Sequence, residues 1–215
     1  MREPSQRTAA YHEAGHAVAA CRLLRGVKEA GLGHHNFSKV EAAGYVLFKG
    51  PFRHHEKNKT IAAKDRARVT EHGFRQIVVC LAGPLAHARH TRRSFKDMLD
   101  VWGSNDLEQA RTLGSHITTG IAYMQLVSQR GLLFPGKFLH MSDEAHEVVA
   151  AAEARARQLV ADDWPLIEAV AKKLMAGALK HDDPVLRRIT RIDGRLTRSS
   201  SEGEGDGSYH RRTAS

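Results

Sequence analysis

The 215-residue chain has only two cysteines, Cys21 and Cys80. Two cannot build the disulfide framework of a small secreted domain. Both lie in helix-like apolar stretches, so they read as buried free thiols of a reducing compartment. Long hydrophobic runs are also missing. The best, Gln76 to Ala82, falls far short of the ~20 apolar residues of a membrane helix, so no membrane span is expected. The opening Met1-Arg2-Glu3-Pro4-Ser5 has no apolar h-region. No secretory signal is therefore expected, and the expected location is cytoplasmic. There is no internal repeat and no Gly-x-x-x-x-Gly-Lys-Ser/Thr loop, so ATP-driven work is not expected to be intrinsic to the chain.

Composition is that of an ordinary globular protein, 41% apolar and 27% charged. A chain of this length buries enough surface to fold without a disulfide or metal staple. Lys plus Arg is 33 and Asp plus Glu is 24, which gives +9 with histidine neutral. That charge favours acidic partners. The basic residues are nevertheless spread over Arg53 to Arg68, Arg89 to Lys96 and Arg187 to Arg198. Aromatic residues do not interleave with them repeatedly as a base-stacking platform requires, Phe95 standing alone, so nucleic acid is not the expected partner. The 14 histidines are the unusual count, and they direct attention to metal chemistry.

Along the chain, Ser5 to Arg25 reads as a helix that Ser5 or Thr8 can cap and Gly26 ends. Glycines punctuate Val27 to Phe52, where one or two strands are expected, Ala43 to Phe48 being the clearest. Arg53 to Lys64 reads as a basic loop. Asp65 to Arg92 has helical periodicity in Val69, Ile77, Val78, Leu81 and Leu85. Pro84 should kink or divide that helix. Ser94 to Trp102 reads as a connection, Asn105 to Gly120 as a helix and Gly131 to Met141 as a loop. Helices are expected from Ser142 to about Asp162, from Trp164-Pro165 to about Lys180, and over Pro184 to Ile192. The Ser/Gly-rich end reads as disordered. The expected fold class is α+β, mostly helical, with a small β element near residues 27–52. The expected domain spans 1–192, followed by a polar tail over 193–215.

Chemistry concentrates in Tyr11-His12-Glu13-Ala14-Gly15-His16-Ala17. On a helix, His12 and His16 are four apart and share a face, where two imidazoles can grip one Zn²⁺. Zinc lowers the pKa of the water it binds from 15.7 towards ~7, so a carboxylate beside it can take the proton near neutrality. Glu13 is placed for that role. This is the HExxH pattern of zinc peptidases. Gly15 costs ~1 kcal/mol inside a helix, which suggests that something packs closely against it.

A catalytic zinc site needs a third protein ligand and one open position. Asp106, in Gly103-Ser104-Asn105-Asp106-Leu107-Glu108-Gln109-Ala110, is the best candidate. It falls in the first turn of an expected helix, where a carboxylate also serves simply as a capping and dipole partner. Glu108 is the nearby alternative, and His87 with His90, three apart on a helix, is another. The adjacent pairs His34-His35 and His54-His55 have diverging side chains and read as loop histidines.

Taken in order, the HExxH segment, Gly44-Tyr45, Leu81-Ala82-Gly83 and the Gly103-to-Ala110 segment resemble the peptidase domain of FtsH-type zinc proteases. Trp164 to Leu174 is similar to the family's late helices, and the resemblance covers roughly residues 5–192. It implies a zincin-like helical peptidase domain with one Zn²⁺ on His12, His16 and Asp106, and with Glu13 as the catalytic base. The implied activity is metal-dependent endoproteolysis of unfolded or flexible polypeptides. The sequence departs from the family in three ways. The membrane anchor and AAA ATPase module that normally precede the peptidase are not in this sequence, so a separate ATPase partner is the corresponding expectation. Ala86-His87-Ala88-Arg89 stands where the family tends to have paired acidic residues. The stretch Arg89 to Trp102 is also unlike the family's usual short acidic connection, and this leaves open a homo-oligomer, which is a family trait. The alternative function is a non-catalytic metal-binding relative acting as an adaptor. Intact Glu13 argues against it, because a purely structural metal has no use for a base.

Overall fold

Helix α1 (Gln6–Leu23) starts where the Ser5 hydroxyl accepts the Thr8 backbone N–H at 3.2 Å. Beyond its C-terminus, Gly26 takes φ of 95°, a conformation that suits glycine and turns the chain into the sheet. The computed structural model describes residues 5–24, 26–33, 44–48, 66–101, 103–119 and 141–190. Strand β1 (Val27–Leu32) is the centre of a three-stranded sheet. It pairs antiparallel with β2 (Gly44–Phe48) from Leu32↔Gly44 to Val27↔Phe48, with an irregularity between Val27 and Glu29. On its other side it pairs with the two-residue β3 (Leu179–Lys180). Among the described residues, β2 therefore keeps one edge unpaired.

The rest is helical: α2 (Arg66–Thr91), α3 (Phe95–Val101), α4 (Ser104–Thr119), α5 (Asp143–Asp162), α6 (Trp164–Ala176) and α7 over 184–190. Helix α2 packs against α1, α4 and α5 at once, and α1 also packs against α6. Small residues make the α1–α2 approach close. Ala10, Ala14, Ala17, Ala82 and Ala86 are all fully buried. A Cβ on Gly15 would strike the Ala82 carbonyl oxygen and lie 2.8 Å from the Ala86 Cβ. This is the close packing that a glycine inside a helix implies. No described helix is long and apolar enough to cross a membrane.

The mostly helical α+β expectation holds, with three corrections. Helix α2 is not divided: it runs through Pro84, although an interior proline removes a hydrogen bond and costs about 3 kcal/mol. Packing on several sides holds the segment helical where local preference alone would break it. Ser94 to Trp102 is not a plain connection but contains α3. The Ser94 hydroxyl accepts the Asp97 N–H at 3.1 Å, and Phe95 and Met98 are buried one turn apart. The helix from Trp164 ends at Ala176 rather than near Lys180, because Gly177 caps it and the chain turns into β3. The expected loops over 53–64 and 131–140, the tail from 193, and the His34-His35 and His54-His55 pairs lie outside the described residues.

Candidate metal centre

The i, i+4 spacing of His12 and His16 sets both rings on one side of α1, and α4 brings Asp106 to them. The His12 Nε2 lies 3.1 Å from Asp106 Oδ2, and the His16 Nε2 lies 3.4 Å from Asp106 Oδ1. The two Nε2 atoms are 3.1 Å apart. The three side chains thus converge with their donor atoms all within 4.8 Å of one another, as a group able to hold a metal ion.

One contact decides how the His16 ring is used. Its Nδ1–H donates to the Val79 carbonyl at 2.8 Å. A carbonyl only accepts, so the proton belongs on Nδ1 and Nε2 presents its lone pair to the centre. Two imidazole nitrogens and a carboxylate then meet in a buried place where each offers electron density. Such an arrangement calls for a proton or a cation between them, and two imidazoles with one carboxylate suit a divalent metal. The Asp106 position follows from the start of α4. The Gly103 carbonyl accepts the Leu107 N–H at 2.9 Å, which puts Asp106 in the first turn. Glu108, two residues further on and about 200° round the helix, lies on the other side of it. It does not join the group, and neither do His87 and His90. His87 is buried with its ring edge-on to His12, centroids 6.0 Å apart. His90 stacks on Tyr11 at 3.7 Å.

Without metal the electrostatics are those of a tight ion cluster. Burial opposes charge on His16, yet the Asp106 carboxylate, with Glu13 and the Val79 carbonyl, lifts its pKa to about 9. Burial also opposes charge on Asp106, but both histidines hold it well below the usual carboxylate range. Glu13 is pushed up, first by burial and then by the Asp106 charge, with the two histidines working against the rise. Burial, then the neighbouring His12, His90 and Arg93, lower His87 to about 4 and keep it neutral. A sign follows for the metal-free chain. His16 contributes stability that is complete below its ordinary 6.5 and is lost as pH rises through about 9. Raised Glu13 also loses its contribution as pH rises, whereas Asp106 loses its own only as pH falls through the acid range. The metal-free chain is therefore expected to melt at a higher temperature near about pH 6 than near about pH 9. A melting series checks it, and an unchanged or higher Tm at the alkaline end contradicts it.

Glu13 is buried against β2, near enough to the cluster to interact electrostatically with all three of its members. A Cβ on Gly44 would lie 2.9 Å from the Glu13 Cδ and Oε1. The edge strand thus passes directly over the carboxylate. The sequence assigns no role to Val79, and it marks Gly44 and Gly83 only through the motifs of the family resemblance and, for the strand from Gly44, as a possible edge for substrate. The one available signal was a glycine sitting inside a helical pattern next to a proline. Neither Cys21 nor Cys80 is in a disulfide; Cys21 is buried, as expected, whereas Cys80, also expected to be buried, is half-buried. No protein-family model and no curated protein sequence matches the chain.

Proposed function

We propose that this chain is a zinc metalloendopeptidase of the FtsH type, acting on unfolded or flexible polypeptides. The observation that carries the reading is the arrival of Asp106, from a helix far along the chain, at the two HExxH histidines, with the Glu13 carboxylate in electrostatic reach of all three. His12, His16 and Asp106 would hold the metal. Once bound, zinc supplies a Lewis acid for the scissile carbonyl and acidifies water. Glu13 takes the proton from the attacking water and delivers it to the leaving amine. Its burial favours that work, because a carboxylate pushed up towards neutrality both accepts and returns a proton. The edge of β2 that has no partner among the described residues offers backbone N–H and C=O groups to an extended substrate strand, beside the Glu13 carboxylate. Such a site reads main chain, and so suits segments that are not already folded. The proposal places the enzyme in the cytoplasm, in keeping with its free thiols.

The test is degradation of an unfolded protein such as casein by the full chain, with and without a zinc chelator. Cleavage that falls to background with chelator and returns on adding Zn²⁺ is the expected outcome. Cleavage indifferent to chelator overturns the metal assignment. A zinc-loaded chain that cuts nothing favours a metal-binding adaptor instead.

A further inference from the structure

We propose that Gly83 and Pro84, adjacent in the middle of α2, are positioning residues that bring the three metal-binding side chains together. The inference rests on the metal-binding part of the reading above and not on peptidase activity. Glycine and proline are the two poorest residues for a helix interior. In α2 they stand side by side where that helix meets both ligand-bearing helices. A Cβ on Gly83 would meet His16 first at Nε2, then at Cε1 and Cδ2 at 2.5 and 2.6 Å. All three nearest atoms belong to the one ring. Val79, one turn earlier on the same face, takes the Nδ1–H of that ring. The imidazole is therefore laid along a single turn of α2. Its Nδ1 is held by a carbonyl, and its metal-facing edge rests where a side chain is missing.

Pro84 does the corresponding work for Asp106. A Cβ on Gly103 would lie 2.8 Å from the Pro84 Cγ and 3.1 Å from its Cβ, so the proline ring is the seat of the Gly103 backbone. Gly103 is the residue whose carbonyl opens α4, and Asp106 sits in the turn it starts. Consecutive residues of α2 thus fix where one histidine and the carboxylate begin. The helix gives up local stability at the point where it organises the centre, a pattern met where function sets the geometry.

The experiment measures Zn²⁺ affinity of the full chain by competition with a chromophoric chelator, together with the melting temperature of the metal-free protein. Gly83→Ala is expected to weaken zinc by at least about 10-fold, the scale seen when the partners that orient metal ligands are lost. Pro84→Ala is expected to weaken zinc by a similar factor while raising the metal-free Tm, because it restores a helix N–H. Those opposite movements separate positioning from simple packing. A Pro84→Ala protein that is more stable yet binds zinc like the wild type overturns the proposal, as does a fall in Tm and affinity together. Should Gly83→Ala fold poorly, the same change in a His16→Ala background decides the matter. With the ring gone, the added methyl should no longer destabilise, and continued destabilisation overturns the proposal. A wild-type chain that binds zinc but does not cleave removes the peptidase reading and leaves this one standing. A wild-type chain that binds no zinc removes both.

Discussion

Replacing Glu13 by Gln is expected to cut casein cleavage by at least about 100-fold while leaving zinc content unchanged. The split is the informative part. Glutamine keeps the length and shape of the side chain, so the close contact with the Gly44 backbone survives. Neither donor nitrogen of His12 and His16, nor the Asp106 carboxylate, is touched. Only the ability to take and return a proton is lost, and general acid–base catalysis accounts for roughly 10²–10⁴-fold of a typical rate. The variant should also lose the pH dependence that a raised carboxylate gives the acid limb of the rate profile, since an amide does not titrate there. Metal analysis and cleavage rate on one preparation check both halves. Wild-type cleavage by Glu13→Gln would end the base assignment. Loss of zinc together with activity would mean that Glu13 supports the centre structurally.

The parts of this arrangement differ in how far they could be read from the chain. The His12–Glu13–His16 spacing is local, and helical periodicity alone says that the two histidines share a face. Asp106 is a different case. A carboxylate in a first helical turn has a sufficient local reason to be there, so its arrival at the histidines becomes definite only once α4 is placed. The same division explains the misses. Helix α3 has seven residues and β3 has two, lengths at which periodicity carries almost no signal. Strand β3 exists only because β1 is beside it. Pro84 does not divide the helix, for the converse reason. Its local rule is strong, and what it meets is Gly103, just ahead of α4, which no window of neighbouring residues contains. Gly83 shows the limit most clearly: its role is a missing atom, defined by the ring of a residue on another helix.

Replacing Asp106 by Ala is expected to lower zinc affinity by more than about 100-fold, beyond the 10–100-fold typical of losing a residue that only orients a ligand. Two imidazoles then remain, and they lack the negative charge that offsets the metal in a buried place. Glu108→Ala is the matched control. It removes a carboxylate from the same helix on the side away from the cluster, and affinity should not change. The pH dependence sharpens the test. In the wild type, His16 is held protonated up to about 9, chiefly by Asp106 working against burial, so zinc must displace that proton. Wild-type affinity should therefore rise roughly tenfold per pH unit until about pH 9. In Asp106→Ala the supporting carboxylate is gone, burial dominates, and the ring is neutral well below that point. The variant's affinity should be weak but nearly flat across the neutral range. A variant that loads fully, or that keeps the wild-type slope, would transfer the third ligand position away from Asp106.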